Sequence, residues 1–208
     1  MNKLDFINEF RNIPVFSTTE IEKVFPDFER ENLLNWQKKG VLLRIRNGWY
    51  SLTNEIQSLE HLYYVSNKIY SPSYISLQSA FAHYGWIPEG VFTITAVSTL
   101  KTKAFDTPKG RFSYSNIQAP LFWGYKILNV DGRGVKMAEP EKALLDFIYF
   151  HPKIQQHTDY ESFRFNLPRM KADLDVAKLA EYARFIGSPA LTKRLILFNQ
   201  LLEHVESF

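Results

Sequence analysis

The chain has 208 residues, of which 45% are hydrophobic, 15% aromatic and 23% charged, with a formal net charge of +3. This is the composition of an ordinary globular protein, long enough for a small module followed by a larger one. With no cysteine, disulfides, thiolate metal sites and thiol catalysis are excluded. No apolar run approaches the roughly 20 residues of a membrane-spanning helix. The opening Met1-Asn2-Lys3-Leu4-Asp5-Phe6 is amphipathic and carries an acid, unlike a signal peptide. The expectation is a cytoplasmic protein with no membrane partner.

Asn2–Phe10 reads as a short helix, with Leu4, Ile7 and Phe10 near helical spacing. Ser17-Thr18-Thr19-Glu20 has the form of a capping box and opens a second short helix to about Val24. Pro26 breaks that helix, and Asp27 is placed to cap a third over Phe28–Lys39, which Gly40 closes as the left-handed residue after its end. The period then changes. Val41-Leu42-Leu43-Arg44-Ile45-Arg46 and Trp49-Tyr50-Ser51-Leu52 flank Asn47-Gly48, the pair favoured in a type I′ hairpin turn. Three short helices and a hairpin predict a winged helix-turn-helix, with a short turn between the second and third helices.

Residues 55–72 read as a connecting helix with Leu59, Leu62, Tyr63, Ser66 and Ile69 on one stripe. A helix over Leu77–Tyr84 ends at Gly85. Strands follow at Val91–Val97, Gly110–Ser115, Trp123–Val130 and Val135–Ala138. Pro140 suits the first turn of a helix to about Phe150. Asp175 caps a helix to Ile186, closed by Gly187, and Ser188-Pro189 starts a last helix to about Val205. The predicted class is α+β: a winged module over residues 1–54, then a larger mixed domain over 55–208 with a central sheet and C-terminal helices.

In a winged module the third helix enters the major groove. Leu33 and Trp36, with Gln37 or Gly40, would face the module's core. Arg30, Asn35, Lys38 and Lys39 would face DNA, and Arg44, Arg46 and Asn47 would sit on the wing. Asparagine reads adenine, whereas lysine and arginine meet phosphate or guanine. The competing reading is a protein-contact module with solvated charges. Glu29 and Glu31 weigh against DNA, although acids also suit a helix N-terminus. A second basic stretch, Lys101, Lys103, Lys109 and Arg111, surrounds Asp106-Thr107-Pro108, read as a loop. It is either a solvated surface or a basic face of the second domain for an acidic partner.

Catalytic and metal-binding patterns are weak. None of the five histidines forms an i, i+4 pair on a helix, there is no phosphate-cradling glycine loop, and Asp131-Gly132 reads as a turn. Glu139, Glu141 and Lys142 near Asp131 lack the spacing of a nuclease site. The expectation is a non-enzyme with no metal or other cofactor. A nuclease-like enzyme and a ligand-sensing regulator are the alternatives.

Several segments in order resemble one known family. They are Lys38-Lys39-Gly40 through Arg44-Ile45-Arg46-Asn47-Gly48-Trp49-Tyr50, Tyr74-Ile75-Ser76-Leu77-Gln78-Ser79-Ala80, and Tyr84-Gly85-Trp86-Ile87-Pro88-Glu89. Thr107-Pro108-Lys109-Gly110-Arg111-Phe112-Ser113-Tyr114, Phe122-Trp123-Gly124-Tyr125 and Ala138-Glu139-Pro140-Glu141-Lys142-Ala143-Leu144-Leu145-Asp146 complete the set. Together they resemble the AbiEi-type antitoxins of type IV, abortive-infection toxin–antitoxin systems. The resemblance implies a module that binds inverted repeats in double-stranded operator DNA and represses its own operon, with copies that are monomers in solution and pair on DNA. It also implies a second, antitoxin domain that counters a nucleotidyltransferase-type toxin without a required stable complex. One departure is Asn35, where the family commonly has a basic residue.

Overall fold

A computed structural model describes residues 2–53 and 58–204. It is mixed α+β, with a multi-stranded sheet and C-terminal helices. The first 53 residues build α1 (Lys3–Phe10), β1 (Phe16–Ser17), α2 (Thr18–Val24), α3 (Glu31–Lys38), β2 (Leu42–Arg46) and β3 (Trp49–Leu52). The three strands form an antiparallel sheet in the order β1-β3-β2. Their core is a knot of rings. Phe6 lies 4.6 Å from Trp36 and Phe10 lies 4.3 Å from Phe16, centroid to centroid. Aromatic rings bury large areas with few rotatable bonds, so a module this small acquires a defined interior.

The local signals behave as their chemistry predicts at most ends. Asn2 caps α1, and Ser17 and Glu20 form the reciprocal capping box of α2. Gly40 takes φ +65 after α3. Two details differ. Asp27 does not cap the third helix, which starts at Glu31 after residues 25–30 have turned without helical structure. Phe28 is instead buried with the core rings, so burial of that side chain takes precedence over extending the helix. The hairpin is not type I′, because Gly48 alone has positive φ (+75) while Asn47 stays negative. Arg44 pairs with Tyr50 and Arg46 with Trp49, which leaves Ile45 as an extra, bulged residue.

The larger part contains α4 (Leu59–Ile69), β4 (Ser73–Ile75), α5 (Leu77–Tyr84), β5 (Thr93–Ser98), β6 (Lys103–Thr107), β7 (Gly110–Asn116), β8 (Tyr125–Val130) and β9 (Arg133–Ala138). Then come α6 (Pro140–Phe150), α7 (Leu167–Asp173), α8 (Val176–Ile186) and α9 (Pro189–Glu203). The six strands are ordered β6-β7-β5-β4-β9-β8, with β5–β7 and β4–β9 parallel and the other neighbours antiparallel. Helix α4 lies across β4, β5 and β9, and α6 packs against α5, α8 and α9. Asp106-Thr107-Pro108, read from sequence as a loop, lies mostly in a strand: Lys103–Thr107 is the edge strand β6, which turns at Pro108-Lys109 into β7. The start predicted for the connecting helix at residue 55 and the domain boundary at 54/55 lie outside the described residues, as does Val205. Of the predicted α4 stripe, Leu59 is exposed, while Tyr63, Ser66 and Ile69 are buried together with Tyr64 and Val65. Val15 and Ile45 belong to the larger core rather than to the aromatic knot around Phe6.

Candidate nucleic-acid interface

Helix α3 presents Leu33 and Trp36 inward. Gln37 is half-buried and turns its amide back to the Leu33 carbonyl at 2.8 Å, and Gly40 is exposed, so neither completes the core. The opposite face carries Leu34, Asn35, Lys38 and Lys39 into solvent. Neither lysine makes an ion pair among the described residues. Arg30 is held by Glu22, with guanidinium nitrogens 2.7 and 2.8 Å from one carboxylate oxygen. This ion pair ties the start of α3 to α2 and occupies Arg30.

The hairpin stands beside α3. A groove of about 390 Å³ runs between them, lined by Arg30, Leu34, Gln37, Arg44, Asn47 and Tyr50 among others. At the tip, the Arg44 guanidinium donates to the Asn47 side-chain oxygen at 2.8 Å, and both residues are exposed. The turn is fastened from behind: the Thr18 N–H donates to the Gly48 carbonyl at 3.0 Å, so the capped start of α2 anchors the β2–β3 hairpin.

Arg46 parts company with Arg44. In an even strand, residues two apart share a face. The bulge at Ile45 breaks that alternation, and Arg46 turns toward the larger core. Its guanidinium donates to the Ile69 carbonyl at the end of α4 and lies 4.4 Å from the Phe105 ring centroid and 5.3 Å from that of Tyr70. Arg46 is therefore not on the outward face where the sequence pattern puts it.

The second basic stretch is spread along the β6–β7 hairpin. Lys101, Lys103 and Arg111 are exposed. Arg111 lies 3.6 Å from Asp106 across the strand pair, and the Lys103 ammonium sits 5.5 Å over Phe105. Lys109 occupies the turn, its N–H donating to the Thr107 hydroxyl. Strand β6 packs beside β2, so this stretch adjoins the β2–β3 hairpin.

The most concentrated buried polar chemistry is a pairing that the sequence reading did not make, that of Lys142 with Asp146. Lys142 and Asp146 form an ion pair one turn apart in α6, each side chain 1% exposed. Tyr74 and Ser76 donate to the other Asp146 oxygen at 2.9 and 2.8 Å. Burial pushes the Asp146 carboxyl up, opposed by Lys142, Ser76 and Tyr74. The Lys142 ammonium also sits 5.4 Å from the rings of both Tyr74 and Trp123. Nearby, Glu139 accepts from the Tyr182 hydroxyl at 2.6 Å, and Lys178 bridges Glu139 and Glu141 at 3.3 and 3.1 Å. Burial, and then the Glu139 carboxylate, push Tyr182 up to about 12. The acid-and-lysine grouping of Glu139, Glu141 and Lys142 thus consists of separate bonded sets. Asp131 is remote from it, on the far turn of the β8–β9 hairpin, against His61 at 2.8 Å. Among the described residues, no three His, Asp or Glu side chains are grouped to hold a metal ion, and no helix is long and apolar enough to cross a membrane.

No protein-family profile matches the chain, and no curated protein is significantly similar to it. Among solved structures, it is similar in fold to the RV2827C protein from Mycobacterium tuberculosis. The TM-score is 0.62 at 13% identity, over 92% of this chain and 72% of that one. At that identity the likeness is one of fold.

Proposed function

We propose that the N-terminal part, residues 1–54, is a winged helix-turn-helix that binds operator DNA. The observation that carries this reading is the surface around one groove: Asn35, Lys38 and Lys39 on the outer face of α3, and Arg44 with Asn47 at the wing tip. Its shape and charge suit a duplex. The lysines and Arg44 would meet phosphates and fix the register, and Asn35 would read a base edge in the major groove. Glu31 faces the same solvent at the start of α3, which weights the phosphate contacts toward the wing and the end of that helix.

The wider reading is an autorepressor and antitoxin. The module would repress its own operon, and the larger domain, residues 55–208, would counter a nucleotidyltransferase-type toxin. This half is supported by the ordered sequence segments that resemble the AbiEi-type antitoxins. Two experiments separate the halves. Fluorescence anisotropy on the upstream region of the gene, in a salt series, should show binding that weakens linearly in log–log form, with a slope of about −0.9 per phosphate contact. Binding that ignores salt, or none, would sink the DNA half. The neighbouring reading frame should encode a nucleotidyltransferase-type toxin whose growth arrest is relieved by co-expression of this chain; a neighbour of another kind, or continued toxicity, would sink the antitoxin half.

A further inference from the structure

We propose that Arg46 is a positioning residue, a latch that locks the wing onto the larger domain so that this domain sets the pose in which the wing meets DNA. The proposal rests on the DNA-binding reading above. Its basis is the path of β2. The bulge puts Ile45 and Arg46 toward the larger part while Arg44 remains in solvent. Ile45 is buried in the larger core. Arg46 donates to the last carbonyl of α4 and lies over Phe105 of edge strand β6. The receiving surface is itself braced. Tyr70 packs edge-on against Phe105 at 5.5 Å, and its hydroxyl donates to the Lys101 carbonyl at 2.7 Å. A second tie runs from Lys68 of α4 to Glu20, the acid of the α2 capping box, at 3.4 Å. One strand thus carries a DNA-facing cation and, two residues on, a cation spent on holding the strand in place.

A planar guanidinium is suited to this work, since it stacks flat on a ring while its edge donates to a carbonyl in one fixed geometry; a lysine ammonium, a point charge on a differently shaped stem, does not reproduce that flat stacking with the carbonyl bond. This separates a latch from a phosphate contact. The experiment compares Arg46→Lys, Arg46→Met, Phe105→Leu and the Arg46→Met/Phe105→Leu double variant with the wild type. Each is checked for folding by circular dichroism, then measured by hydrogen exchange without DNA and by DNA binding across salt.

For a latch, Arg46→Lys and Arg46→Met both speed exchange over residues 42–52. Both weaken DNA binding roughly fivefold to twentyfold with an unchanged salt slope. Phe105→Leu weakens binding too, and the double variant is less than additive. Three outcomes would each overturn the latch: full affinity in Arg46→Lys, a salt slope reduced by about one in Arg46→Met, or unchanged exchange in both Arg46 variants. If the wild type itself fails to bind upstream DNA, the DNA reading falls, and the exchange result alone still decides whether Arg46 holds the wing.

Discussion

Lys142→Met would strand a carboxylate in the interior. Methionine matches the length of the lysine stem but carries no charge, so Asp146, with a side chain 1% exposed, keeps only the Tyr74 and Ser76 hydroxyls as partners. Burial already pushes this carboxyl up while Lys142 opposes the shift. Without Lys142 the least costly response is to take a proton. At pH 7 that costs about 1.4 kcal/mol for each unit down to the ordinary carboxylate value near 3.9, or about 4 kcal/mol. The figure agrees with the roughly 3–5 kcal/mol lost when one member of a buried pair is removed. The sign with pH follows. The folded variant holds a proton that the unfolded chain has released, so its stability rises as pH falls from 7 toward 4, by about 1.4 kcal/mol per unit from this site. Adding Asp146→Asn removes the stranded acid and keeps an oxygen for both hydroxyls. The double variant should recover about half of the loss or more and show no such slope. Urea unfolding at pH 5, 6 and 7, with the m-value monitored, measures all of this. A Lys142→Met variant that loses under about 1 kcal/mol at pH 7, or the same amount at pH 5 as at pH 7, would refute the reasoning.

Other predictions are simpler. If the N-terminal part binds operator DNA as proposed, Arg44→Gln should reduce the salt slope of that binding by about one and leave sequence preference intact, whereas Asn35→Ala should relax preference at one base pair; anisotropy on mutated upstream DNA tests both. Gly124→Ala should cost about 1–3 kcal/mol in a thermal melt, because Gly124 has φ +71 and its new Cβ would lie 3.0–3.1 Å from the Lys142 side chain; an unchanged melting point would contradict it. His83 is exposed, and partial shielding from water, aided by Lys126 and opposed by Glu60, holds it below its ordinary value of 6.5. The unfolded chain therefore takes up this proton first, and stability falls as pH drops below about 6.5. His83→Gln should flatten that part of the stability profile, and an unchanged profile would show that His83 does not contribute.

The sequence was most readable where a local rule had no competitor. Ser17 and Glu20, Gly85, Pro140, Asp175 and Gly187 mark helix ends where they fall, because caps and left-handed residues act over four or five positions. Strand β4 was invisible for a physical reason. It is three residues long and buried on both faces, so it shows no alternation, and it is squeezed between the predicted helices over 55–72 and Leu77–Tyr84. Strand β6 was hidden by its charges, which suit an edge strand as well as a loop. The position of Arg46 depends on a bulge that nothing in Arg44-Ile45-Arg46 announces. Asp146 and Tyr74 lie 72 residues apart, and only the fold brings them into one hydrogen bond.

That last point bears on how the family-like segments should be tested. Tyr74 and Ser76 come from one segment, Gly124 from another and Lys142 with Asp146 from a third, and all meet at the buried pair. The segments that carry the resemblance therefore contain the residues that let an ion pair be buried, and substituting them should report first on stability. Function is better probed at the surface. Lys101→Glu with Lys103→Glu leaves every one of those buried contacts in place, and both side chains are exposed, so the melting temperature should stay within a few degrees of wild type. If the β6–β7 face helps to hold nucleic acid, or competes for the toxin's nucleic-acid substrate, the charge reversal should weaken repression or toxin neutralisation without loss of fold. Retention of both proposed activities by the folded variant would show that this basic face is merely solvated, and would confine the nucleic-acid reading to α3 and the β2–β3 hairpin.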